Sequence, residues 1–262
     1  MNKTNKLKLA LASALLVGSM QAKADTVLGL YAGAQYWNIE PEGQFGSSAD
    51  DQETFAFDDA GNASYYVALE HLVPIIPNIK LRHNQMEDLQ GGGVIDNSYT
   101  FAGQTYPENT NVSVNADLSN TDYILYYELF DNGLFSFDFG LNVKHIDGLI
   151  QVTGVPENNS SGTSASSSED FSGFVPMGYL AAEVALPGTG FSVYADGSLL
   201  TVGDHSLTDY QLGLAYEFVD NLAVDMSVQL GYRSFALELD DLEDIYSDLE
   251  FNGAYAGLQI HF

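Results

Sequence analysis

Cysteine is absent from the 262 residues, which excludes disulfide scaffolds, thiolate-ligated zinc and thiol nucleophiles. Basic residues are scarce as well: 8 Lys and Arg stand against 36 Asp and Glu, a formal charge of −28. A chain with that balance is repelled by the phosphate backbone, so nucleic acid is not an expected partner. Long apolar runs are missing too. The best candidate, LALASALLV at 9–17, falls far short of the ~20 residues a spanning helix needs. What the chain does contain is 45% hydrophobic and 12% aromatic residues with 25 glycines, too much apolar material for a disordered acidic polymer.

The few bases are placed unevenly. Lys3, Lys6, Lys8 and Lys23 precede the first acid, Asp25, and leave only Lys80, Arg82, Lys144 and Arg233 for the rest of the chain. A basic start, a short apolar core and the small-residue site Ala22-Lys23-Ala24 predict a signal peptide over 1–24, cleaved after Ala24. The exported domain is then 25–262.

That domain alternates in two-residue steps. Leu222, Val224, Met226, Val228, Leu230 and Tyr232 interleave with Ala223, Asp225, Ser227, Gln229, Gly231 and Arg233, so one face is apolar and the other mostly polar. Phe135 to Val143 and Tyr210 to Phe218 repeat the pattern. Strands are expected at 26–39, 64–72, 79–86, 119–130, 135–147, 173–186, 190–202, 206–218, 222–238 and 248–262. Their connections alternate between short turns (74–78, 131–133, 187–190, 219–221) and long loops (40–63, 87–118, 151–172, 240–247), with a tight turn at 203–205 as the exception. Alternation alone would equally suit a soluble barrel with an apolar lumen. Three features favour the membrane: one rim of short turns facing one of long loops, aromatics near the ends of the apolar faces, and polar faces rich in Gly, Ser and Gln. The expected fold is an all-β, transmembrane, antiparallel up-and-down β-barrel of about ten strands, with both termini periplasmic.

The last eight residues, YAGLQIHF, alternate up to a terminal Phe262. Tyr255, Gly257, Ile260 and Phe262 resemble the signal read by the outer-membrane assembly machinery. With an export signal at the other end, the chain is similar to the small outer-membrane β-barrel families of Gram-negative bacteria. One of these, largely uncharacterised, carries a P-x-x-P-N-[IV]-x-L-R segment like the one from Pro74 to Arg82. The resemblance implies fold, outer-membrane location and lipid and lipopolysaccharide as surroundings; it brings no activity.

Strand phase turns Glu70, Glu128, Asp138, Glu183, Asp196, Asp209, Glu217 and Asp225 inward, together with Lys80, Arg82, Lys144 and Arg233. A charge facing lipid would cost ~2–4 kcal/mol at the bilayer midplane, and a narrow barrel is filled by its own side chains. The network is therefore read as a salt-bridged plug, with a cation-preferring constriction as the alternative. Centring the first turn on Ile76 sets Glu70 opposite Arg82, with Lys80 beside them. Lys144 and Arg233 are expected to pair among Asp138, Glu128, Asp225 and Glu217. The long loops are acidic: Asp50, Asp51, Asp58 and Asp59 in the first, and Asp240, Asp241 and Asp244 in the last. They form a solvated rim or, through Ca²⁺ or Mg²⁺, a bridge to lipopolysaccharide phosphates. No other cofactor is expected. Asp204-His205 with His145 and Asp147 is the one constellation with hydrolytic chemistry, a rim protease-like site. The expected role is structural or interactive at the cell surface, with a pore and a rim hydrolase as alternatives.

Overall fold

The computed structural model describes residues 28–46, 48, 52–155, 162–221, 223–242 and 245–262, the side chains of 241, 242 and 245 excepted. The predicted signal peptide and its cleavage residues Ala22 and Ala24 lie outside that range. In chain order the strands are β1 (Leu28–Gly46), β2 (Gln52–Thr54), β3 (Ala56–Phe57), β4 (Ala60–His71), β5 (Asn78–Asn84), β6 (Leu89–Val94), β7 (Tyr99–Phe101) and β8 (Gln104–Tyr106). They continue as β9 (Asn111–Asp117), β10 (Asn120–Asp131), β11 (Phe135–Gly154), β12 (Ala165–Leu186), β13 (Phe191–Val202), β14 (His205–Asp220), β15 (Asp225–Leu242) and β16 (Ile245–His261).

Ten of these close a barrel. Pairing runs β1, β4, β5, β10, β11, β12, β13, β14, β15 and β16, then back to β1, and every contact is antiparallel. Closure leaves no sheet edge at the height of the barrel wall, as a backbone surrounded by lipid requires. The fold is thus an all-β, ten-stranded, up-and-down barrel, with no helix among the described residues. Short turns join the strands at one end. Asn132 shows the turn chemistry: its Oδ1 accepts from the amides of Leu134 and Phe135, and Gly133 between them takes a φ of 74° that suits glycine.

The outward faces form an apolar belt. Leu30, Val67, Leu81, Leu125, Leu141, Leu180, Val193, Leu212, Leu230 and Leu258 are all intermediate to well exposed on the wall, flanked by Tyr36, Tyr65, Tyr123, Tyr210 and Tyr232 towards one end and Tyr127, Phe135, Phe191, Tyr216 and Phe218 towards the other. Exposed apolar surface on this scale has one stable environment, hydrocarbon bounded by two interfaces.

Above that belt the alternation changes phase. In β15 the outward positions run Val228, Leu230, Tyr232 and then turn polar at Glu238 and Asp240, while the inward positions turn apolar at Phe235 and Leu237. Trp37 and Ile39 in β1, Ile146, Ile150 and Val152 in β11, and Leu249 and Phe251 in β16 make the same change. Apolar residues face lipid where lipid is outside, and face the axis where water is outside. The inward set joins Met86, Leu89, Tyr99, Tyr106, Val112 and Val114 in one buried cluster across the mouth, each side chain contributing about 1.5–3 kcal/mol on burial.

This corrects the long loops. The segments expected as loops at 87–118 and 151–172 are largely strand: β9 pairs β11, β6 pairs β9 and β3 pairs β6, so the wall continues outward as a sheet. β7 and β8 form a separate hairpin whose aromatics enter the cluster. The serine-rich stretch at 165–168 is likewise paired, to β11. Low hydropathy on its solvent face had hidden a strand whose partner supplies the apolar side.

Candidate functional site

The lumen is layered. Its central belt is built from β5, β10, β11, β14 and β15, whose inward positions meet at one height. Asp209 accepts from Arg233 Nε at 2.9 Å and Nη2 at 2.8 Å, and from Lys144 Nζ at 2.9 Å. Lys144 also contacts Asp122 Oδ1 at 2.8 Å and Asn120 Oδ1 at 2.9 Å, and Arg233 Nη1 donates to Asn84 Oδ1 at 2.8 Å. The ring of Trp37 lies 4.8 Å from the Arg233 guanidinium and that of Phe235 5.5 Å from Lys144 Nζ. Lys144 and Arg233 are 0% and 1% exposed. Buried charges persist only when paired and hydrogen-bonded, and here both are.

A second pair lies beside the belt: Arg82 Nη2 donates to Asp196 Oδ1 at 2.7 Å, and Gln211 donates to the other carboxylate oxygen. Tyrosines fill the remaining width. Tyr66 passes over Gly33 to reach Gln259, and Tyr194 and Tyr255 hydrogen-bond to each other across Gly213 and Gly231, where any Cβ would collide with the phenols.

Towards the short-turn end the carboxylates outnumber the bases. Glu70 accepts from Tyr126 Oη at 2.8 Å, Glu128 stands opposite Asp138, and Asp225 lies 3.4 Å from His261. Glu128 and Glu183 are exposed, Glu217 and Asp138 half-buried, and Lys80 sits over the Tyr66 ring. The surplus negative charge is therefore at the short-turn end of the lumen, opposite the apolar cluster and within reach of water.

Two expected pairings are overturned. The β4–β5 ladder matches Tyr66 with Arg82 and Ala68 with Lys80, so the turn is centred near Pro74, not Ile76, and Glu70 does not face Arg82. Asn78 already begins β5 and its side chain accepts from the His71 amide, which displaces the register. Neither Lys144 nor Arg233 pairs with Asp138, Glu128, Asp225 or Glu217; both converge on Asp209. Asp122 was missed although the phase that turns Glu128 inward applies to it equally.

At the outer end the acids separate. Asp58 and Asp59, with Glu87, Asp88, Tyr36 and Gln90, line an open cavity of about 470 Å³ on the wall. Asp240 donates its amide to His205 Nδ1, Asp241 occupies a strand position, and Asp50, Asp51 and Asp244 lie outside the described residues. Among the described residues no three His, Asp or Glu side chains are grouped to hold a metal ion. On the outward face of the sheet extension Gln90, Asn115, Gln151 and Ser168 align across four strands, with Asp117 and Asp170 flanking Leu149 on the same face. His145 stacks on Phe174 at 4.5 Å and contacts Ser172, while His205 binds the Asp240 amide. The expected rim dyads with Asp147 and Asp204 are not formed by either histidine. Tyr255 and Gly257 of the terminal motif face the lumen, and Ile260 and Phe262 take the other phase.

Neither a family model nor a curated protein matches the chain. Among solved structures it is similar to the outer membrane protease OmpT from Escherichia coli, at 9% identity and a TM-score of 0.48, over 93% of this chain and 99% of that one. It is also similar to a Pseudomonas aeruginosa FadL homologue, at 9% identity and a TM-score of 0.37, over 90% of each chain. The P. putida toluene transporter TodX aligns at 7% identity and a TM-score of 0.33, over 91% of this chain and 90% of the other. At these identities no residue role transfers.

Proposed function

We propose that the protein is an integral outer-membrane barrel that works through its cell-surface end and not as an open pore. The observation that carries this reading is the double closure of the lumen, first by the Asp209 belt and then by the apolar cluster above it. A permeating ion has to part buried, fully bonded charges and then cross a layer of mainly apolar side chains, and the cost of an uncompensated charge there is several kcal/mol. The outward apolar belt supports the bilayer location, and the strand-built outer extension supports a surface role. A rim hydrolase draws no support from geometry, since His145 stacks on Phe174 and contacts Ser172 while His205 accepts from the Asp240 backbone amide, so neither ring is oriented by a carboxylate.

Because the chain has no cysteine, single-cysteine variants report exposure cleanly. Asn115→Cys on the outer sheet should react with an impermeant maleimide on intact cells, and Asn221→Cys at a short turn only after lysis. Recovery of the mature protein in the soluble periplasm, or labelling of Asn221→Cys on intact cells, overturns the reading.

A further inference from the structure

We propose that the outer end of β12 is a docking edge for an extended, lysine- or arginine-bearing polypeptide segment, which joins the sheet as an added strand. The inference rests on the reading of a barrel that acts at the cell surface.

The two ladders of β12 end at different heights. On one side the pairing with β11 continues to Ala165. On the other, pairing with β13 stops at Gly178 opposite Leu199, and β13 itself ends at Val202. Pro176, two residues beyond the last rung, has no N–H to continue it. Among the described residues, 165–174, which lies beyond the end of β13, therefore has a strand neighbour on one side only. In an antiparallel strand alternate residues turn both N–H and C=O to the same side, so this stretch presents a row of unpaired donors and acceptors.

The free edge borders a notch. Across it, β14 begins only at His205, whereas β15 continues past its last rung with β14, Glu238 opposite Ser206, to Leu242. The β13–β14 turn at Gly203 and Asp204 is its floor. An incoming strand above that turn takes the place that β13 vacates.

Charge selects the occupant. Glu169, Asp170, Asp204, Glu238 and Asp240 surround the notch, all exposed. No base offsets them, because Lys80, Arg82, Lys144 and Arg233 are all committed to the lumen. A second copy would bring the same carboxylates against these, and an anionic polymer is repelled in the same way. Glu169 and Asp170 point to opposite faces of β12, so a strand with cationic residues on either face meets a carboxylate. Backbone pairing then supplies the affinity and the carboxylates the preference, as in strand addition to other exposed edges.

The test uses full-length protein in lipid nanodiscs and a fluorescent decapeptide alternating lysine and valine, read by anisotropy at physiological ionic strength. Saturable binding is expected. N-methylation of alternate peptide amides keeps every charge but removes the ladder, and should weaken binding at least about tenfold. The E169Q/D170N variant should weaken it several-fold and flatten its salt dependence, while a glutamate–valine peptide should not bind. No binding to folded wild-type protein, or equal binding of the N-methylated peptide, overturns the proposal. Labelling of Asn115→Cys on intact cells reports on the surface reading separately, so a failure of one is not mistaken for a failure of the other.

Discussion

Replacing Asp209 by alanine should destabilise the folded barrel by about 3–5 kcal/mol, the cost of leaving a buried charge without its partner. The figure follows from the geometry. One carboxylate, 4% exposed, accepts two bonds from Arg233 and one from Lys144. Its loss leaves two cations sharing Asp122 and the amide oxygens of Asn84 and Asn120. Asp209→Asn keeps the volume and should cost nearly as much, which separates charge from packing. Asp225→Asn at the short-turn end is the comparison: its contact with His261 at 3.4 Å is partly solvated and should be worth no more than about 1 kcal/mol. The assay is built into the chain, because its single tryptophan, Trp37, is 2% exposed and stacks beside Arg233. Urea unfolding in detergent followed by that fluorophore reads the belt itself. If Asp209→Ala unfolds within about 1 kcal/mol of wild type, or Asp225→Asn costs as much, the belt does not hold the barrel together.

Further consequences are as direct. Gly231→Leu should prevent refolding to the compact form on unboiled gels, because the new side chain meets the Tyr255 phenol and the Leu212 carbonyl, whereas Ser168→Ala on the outer sheet should not. Arg82→Met should be milder than Arg82→Ala, since it keeps the packed stem while both lose the Asp196 pair. Deleting Phe262 should reduce outer-membrane assembly while leaving detergent-refolded protein folded, as measured by fractionation against heat-modifiability.

Much of the barrel was legible because period-two alternation is a direct record of two environments. Val228, Leu230 and Tyr232 against Gln229, Gly231 and Arg233 state both the strand and its inward face, and the ten strands expected are the ten that close. The same rule misled beyond Tyr232. Once apolar residues were assigned outward, Phe235 and Leu237 fell out of phase and the segments beyond looked like loops, although the change of parity is itself the mark of the membrane boundary. Neighbour pairing was readable only as far as turns are symmetric, and Asn78 shifted the first hairpin enough to replace Glu70 by Tyr66 opposite Arg82. The partners that matter cross the lumen: Arg82 and Asp196 are 114 residues apart and Arg233 and Asn84 are 149 apart. Closure of the ring brings them together, and no local pattern encodes it.

Single-channel recording of refolded protein in planar bilayers tests the closed lumen most directly. The wild type should insert without ohmic steps at 100 mV-scale potentials in molar salt, and combined Asp209→Ala and Phe235→Ala substitution, which opens both layers, should produce them if the barrel survives. Steady, cation-preferring conductance from the wild-type protein would contradict the account.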